Sequence, residues 1–166
     1  MIPFLSRNPL QSNQATPDVI EPAPTTEEAI SGPSEYEVMR TNSIAKKNRA
    51  IQTKLEKVIS YTKQTMVAYM SEEDLNRLCT YVAEYSSGDT LQKITPVKVD
   101  SQLKSIDIMH FGWNIGKAFG IKRIHTATFI KNVFAHTLRD LEISTIERKM
   151  SHTESECYIK LQQLKE

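Results

Sequence analysis

The chain has 166 residues, two cysteines and a formal net charge of +1. This length fits one small globular domain with extensions. Two cysteines are too few for a disulfide scaffold, no run of about 18 apolar residues is present to span a bilayer, and the opening MIPFL is too short for the apolar core of a signal peptide. We therefore expect a soluble, reduced, cytoplasmic protein with no membrane partner.

The charges fall into blocks although their sum is close to zero. Residues 43–63 contain six basic and one acidic side chain, and residues 101–150 contain eight basic and four acidic ones. Residues 64–100, between them, contain three basic and six acidic side chains. Two basic blocks are compatible with a phosphate-facing surface. The small net charge of the whole chain, however, gives no bulk attraction to nucleic acid.

Residues 1–34 hold six of the seven prolines and little apolar surface. Such a composition does not offset the entropy of ordering the chain, so we predict a disordered arm rich in Pro, Ser and Thr. Its expected role is that of a tail, with MIPFL as the handle if it docks.

A pair of helices is predicted over residues 35–96. The first begins near Ser34, and its buried stripe follows alternating spacings of four and three residues. The second begins at Ser71, which can cap the helix ahead of three acidic residues, and stops before Gly88. We expect this pair to supply a dimer interface. The residues of the stripe are Ile51, Leu55, Val58, Thr62, Thr65 and Tyr69.

The third region, residues 97–166, is predicted to be a helix-turn-helix or winged-helix domain. Residues 94–99 and 157–161 alternate in polarity and could pair as a small β-hairpin beside the helices, although Pro96 bars a central strand position. The helix that starts near residue 101 either breaks at Gly112 or continues to Phe119, and the sequence leaves both alternatives open.

Residues 112–131, GWNIGKAFGIKRIHTATFIK, predict two short helices joined by a tight turn. Gly120 stands where the chain reverses and a positive φ favours glycine, and Gly116 is small enough for the second helix to pack closely. This segment resembles the helix-turn-helix family of DNA-binding proteins. It departs from the family pattern at Thr126, where a branched apolar residue is usual. The shared core would contain Ile115, Phe119, Ile121 and Phe129.

The residues after the turn have side chains that reach phosphates and base edges. The resemblance therefore implies sequence-specific binding of double-stranded DNA, with Arg123 as the best candidate for paired hydrogen bonds to a guanine. The competing interpretation is an ordinary packed hairpin. The predicted DNA-contact residues are Lys122, Arg123, His125, Thr126, Thr128 and Lys131.

A second resemblance covers residues 129–150. The run FIKNVF, a polar turn and ISTIERKM resemble the C-terminal region of RteC-type regulators, which are carried by mobile elements of gut bacteria. This resemblance implies transcriptional control of element excision or transfer, and it moves the DNA-reading helix to residues 144–150. The alternative contact residues are then Ser144, Thr145, Arg148 and Lys149.

Motifs of enzyme active sites are missing from the sequence: it has no GxSxG, HExxH, P-loop or CxxC. Its four histidines are scattered, without the partners of a metal site. We expect a homodimer that binds DNA, with no catalytic activity, cofactor, metal or small-molecule substrate. The alternative is a helical interaction or accessory protein of a phage or conjugation system, which would dock through residues 44–85 and the arm.

Overall fold

The computed structural model describes residues 32–89, 91–153 and 156–165. The chain divides into two units between Met39 and Arg40, and the second unit is Arg40–Glu166. The predicted arm, apart from residues 32–34, lies outside the described residues. The described residues form helices and no strand, which confirms a mainly α-helical fold. The helices are α1 (Glu35–Met66), α2 (Glu72–Ser86), α3 (Ser105–Phe119), α4 (Arg123–Val133) and α5 (Ile143–Lys149).

The first two helices begin at serine side chains, and the sequence predicts the cap at Ser71. At the start of α1, the Glu37 N–H donates to the Ser34 hydroxyl at 3.2 Å, and the Ser34 N–H donates to the Glu37 carboxylate at 3.0 Å. At the start of α2, the Ser71 hydroxyl accepts from the Asp74 N–H at 3.2 Å. These bonds satisfy N–H groups that a helix leaves without partners in its first turn.

Helix α3 runs through Gly112 without a break, and ten of its fifteen residues are buried. A Cβ atom on Gly112 would lie 2.9 Å from two carbon atoms of Ile130. The missing side chain therefore serves close packing of α3 against α4. Of the two alternatives that the sequence left open, the continuous helix is correct.

Aromatic side chains join the helices of the second unit. Tyr61 of α1 stacks on Phe111 of α3 with ring centroids 5.9 Å apart. Tyr85 of α2 stacks on Phe129 of α4 at 4.2 Å. Phe111 also meets Phe134, which follows α4, edge to face at 5.9 Å. The fully buried Phe111 thus connects the first helix to the C-terminal helices.

The predicted hairpin between residues 94–99 and 157–161 is wrong. Side chains of α3 bind the backbone of residues 158–162, so these groups have no need of a partner strand. Asp107 accepts from two backbone N–H groups at 2.7 and 2.9 Å, and Asn114 bonds one carbonyl and one N–H at 2.8 Å each. The three buried α3 residues that hold the segment are Asp107, His110 and Asn114.

The second of the two short helices predicted around Gly120 is α4. It spans Arg123–Val133, and residues 134–140 form turns. The Lys131 ammonium donates to the carbonyls of Leu138 and Arg139 at 2.7 and 3.0 Å. This lysine therefore closes the turns against the last part of α4.

Candidate nucleic-acid interface

The turn between α3 and α4 has the geometry that the sequence predicts. Gly120 adopts φ 68° in the left-handed region. The Ile121 N–H donates to the Gly116 carbonyl at 3.0 Å, and the Gly120 N–H donates to the Lys117 carbonyl at 3.2 Å. This pair of bonds closes the end of α3 and directs the chain into α4.

Thr126 lies in the core and not on the outer face of α4. Its side chain is 2% exposed, and its hydroxyl shares a hydrogen bond with the Tyr85 hydroxyl. It also donates to the Lys122 carbonyl at 3.3 Å. These partners explain how a hydroxyl is accommodated where the helix-turn-helix family has an apolar residue. Because the side chain is enclosed, Thr126 leaves the set of DNA-contact candidates.

Arg123 is engaged within the fold. Its guanidinium donates to the carbonyls of Glu147 and Arg148 at the end of α5, and to the Ser151 hydroxyl at 3.2 Å. It also lies 4.9 Å from the centroid of the Trp113 ring. Carbonyls at a helix C-terminus carry partial negative charge, so Arg123 stabilises the end of α5. Its donors are directed toward the protein.

The remaining α4 candidates divide between engaged and accessible side chains. Lys131 is held by the turn carbonyls described above. Thr128 is half-buried, and its hydroxyl donates to the Ile124 carbonyl at 2.8 Å. Lys122 and His125 are exposed. Of the six DNA-contact residues predicted after the turn at Gly120, these two are the exposed ones.

Helix α5 presents the alternative contact residues. Ser144, Arg148 and Lys149 are exposed, and Thr145 is half-buried. Within the described part of the chain, none of these four side chains forms a hydrogen bond or an ion pair. The short helix packs against α4 and α3. The structure thus brings the four residues together on one element and leaves their polar groups accessible.

A cleft between α1, the end of α3 and the C-terminal segment is a feature that the sequence analysis missed. It has a volume of about 660 Å³ and is lined by six basic side chains. The basic block at residues 43–63 is a partial signal of this cleft, because it contains four of the six cations. Lys117 and Lys165, which complete the cleft, are too distant in sequence to be assigned to it by periodicity.

A metal site and a reactive thiol have no support among the described residues. No group of three or more His, Cys, Asp or Glu side chains there is placed to hold a metal ion. Burial raises the pKa of the Cys79 thiol, and the nearby Lys63 charge opposes this effect only in part. A thiol with a raised pKa is a poor nucleophile at neutral pH. Among the helices described, none combines the length and the apolar character that crossing a bilayer requires.

Comparison of the chain with family models, curated proteins and solved structures gives no match.

Proposed function

We propose that this chain binds double-stranded DNA through α5 and acts as a regulator of transcription, or of the excision or transfer of a mobile element. The observation that supports α5 is the accessibility of Arg148 and Lys149, which have no partner in the described residues. Arg123 and Lys131 of α4, in contrast, bind backbone carbonyls.

The residue types on α5 suit groove binding. Arg148 can donate two parallel hydrogen bonds to a guanine, and Lys149 can bind a phosphate without a fixed geometry. The hydroxyls of Ser144 and Thr145 can bind phosphates or base edges. Arg123 is a positioning residue in this proposal, because it holds the carbonyl end of the helix that carries the contacts.

One short helix rarely binds DNA tightly, so we propose a homodimer that contacts two half-sites. Ile44 and Ile51 of α1, in the second unit, are 49% and 57% exposed, so the prediction that Ile51 belongs to the buried stripe is wrong. The two isoleucines are seven residues apart and share one face of the helix, where they can contact a second copy of the chain. The same observation supports the second candidate, a helical interaction protein that does not bind DNA.

Fluorescence anisotropy with a labelled random-sequence duplex tests the first proposal. Wild-type affinity should fall steeply between about 50 and 200 mM salt because bound phosphates release counterions. The double variant Arg148→Ala/Lys149→Ala should lose affinity on the order of ten-fold and show a salt slope smaller by about two. Lys98→Ala, which removes one exposed charge elsewhere, is the control and should bind like the wild type.

Wild-type affinity in the α5 double variant would contradict the proposal. A loss in Lys122→Ala/His125→Ala alone would place the contact on α4 instead. If the wild type binds no duplex, but light scattering shows a dimer that Ile44→Ser/Ile51→Ser converts to a monomer, the interaction function is the better description.

A further inference from the structure

The cleft at α1 brings six basic side chains to one concave surface. It lies wholly in the second unit, between α1, the end of α3 and the C-terminal segment. Its volume of about 660 Å³ is in the range of small-molecule sites. The basic residues that line it are Lys46, Arg49, Lys54, Lys57, Lys117 and Lys165.

The helical periodicity of α1 creates one wall of this cleft. Residues 46, 49, 53 and 57 recur at three- and four-residue spacing, so they share a face over three turns. Lys117 at the end of α3 adds a cation to the lining from a different element, and its ammonium also lies 5.2 Å from the centroid of the Trp113 ring. Cations spaced along one wall, with others beside them, can bind an elongated anion.

The cations of the cleft have no acidic partner among the described residues. No described Asp or Glu belongs to its lining, and no ion pair in the described part of the chain includes any of its six cations. Lys57 donates to the Lys165 carbonyl at 2.9 Å, which ties the C-terminal segment to α1. Like charges at a concave surface repel one another and concentrate the field for an anion.

The uncharged lining indicates what kind of anion fits. Besides Thr53 and Gln163 it consists of the small or aliphatic side chains Ala50, Val58, Ala118 and Leu164, and among the described residues it has no aromatic ring on which a base could stack. Five of the six cations are lysines, which bind phosphate oxygens as point charges without a fixed geometry. We propose that the cleft binds a row of phosphate groups. This proposal is independent of DNA binding by α5.

Isothermal titration of the full chain with inorganic tripolyphosphate tests the proposal. The wild type should bind at one site, and Arg49→Gln/Lys54→Gln should weaken binding on the order of ten-fold because two charge-assisted contacts are lost. Lys93→Gln/Lys98→Gln removes the same charge from exposed positions outside the cleft. This control pair should bind like the wild type.

Absence of binding, or equal weakening in the cleft and control pairs, would overturn the proposal. The charge-preserving pair Arg49→Lys/Lys54→Arg provides a second measurement if the glutamine pair does not fold. It should keep binding within about three-fold of the wild type, because point-charge contacts tolerate this exchange. A loss comparable to that expected for the glutamine pair would also contradict a site based on charge.

A competition experiment identifies the source of the phosphates. If random-sequence duplex displaces tripolyphosphate and the cleft pair weakens duplex binding, the ligand is a nucleic-acid backbone. If duplex does not compete, the ligand is a small free polyphosphate. Both results support the site. Failure of the α5 proposal would leave the tripolyphosphate measurement unaffected, so the two proposals are tested separately.

Discussion

Helices α4 and α5 are short, adjacent and basic, but they use their cations in opposite ways. In α4, Arg123 and Lys131 donate to backbone carbonyls of neighbouring segments. In α5, Arg148 and Lys149 are exposed and have no partner in the described residues. The first pair organises the fold, and the second pair is accessible to a ligand. A basic helix therefore supports a nucleic-acid proposal only after the partners of its donors are known.

The difference originates in where the two helices lie. Helix α4 packs against α2, α3 and α5, and five of its eleven residues are buried. Helix α5 has one buried residue, Ile146. Long basic side chains on an enclosed helix can reach carbonyls at the ends of its neighbours, whereas those on a peripheral helix extend into solvent. Variants in each helix test this difference between α4 and α5.

The largest effect is expected from Gly116→Val. A Cβ atom at Gly116 would lie 2.5 Å from the Thr126 hydroxyl oxygen, which is itself buried and bonded to Tyr85. Thr126 has few rotamers with which to move away. We therefore expect the free energy of unfolding to fall by about 3 kcal/mol, at the upper end for over-packing. Chemical denaturation measures it. Gly32→Val, where nothing lies within 4 Å of the added atom, is the control. Equal stability of the two variants would show that α4 is not tightly enclosed.

The next effect concerns Arg123→Ala. It removes charge-assisted hydrogen bonds to the end of α5 and the contact with Trp113. The expected destabilisation is about 2 to 3 kcal/mol, and Arg123→Lys should recover only part of it, because an ammonium cannot reproduce the planar fork. Arg139→Ala, at a largely exposed residue paired with Asp140, should change stability by about 0.5 kcal/mol or less. An Arg123→Ala protein as stable as Arg139→Ala would make Arg123 available to DNA after all.

The sequence predicted the features that depend on neighbouring residues. The serine cap of α2 and the left-handed turn at Gly120 were both visible within a few positions. The errors concern long-range partners. Arg123 binds groups 24 to 28 residues away, and Asp107 binds the segment that was predicted to be a strand about 50 residues later. Alternating polarity in residues 157–161 indicated an extended chain but not that helix side chains would satisfy its backbone.

A smaller effect is expected at alkaline pH from Tyr85. Burial raises its pKa to about 12, although the hydrogen bond with Thr126 opposes the shift. The unfolded tyrosine ionises at about 10. The folded state therefore binds the proton more strongly, so this stabilisation is complete below pH about 10 and is lost as the pH rises toward about 12. Denaturation of Tyr85→Phe across this interval should show a shallower decline than that of the wild type. The variant should also lose about 1 kcal/mol at neutral pH. Parallel declines would contradict the assignment to Tyr85.

The smallest effect should come from the α5 pair Arg148→Ala/Lys149→Ala. Both residues lie in the last turn of α5, where a cation interacts favourably with the helix dipole. Because both are exposed, we expect each to contribute about 0.5 kcal/mol or less to the free energy of unfolding. The measurement is denaturation of the same protein samples that are used for duplex binding. Weaker duplex binding with unchanged stability would show that Arg148 and Lys149 serve DNA binding and not the stability of the fold. A stability loss as large as that of Arg123→Ala would mean that α5 uses its cations as α4 does, and the contrast between the two helices would fail.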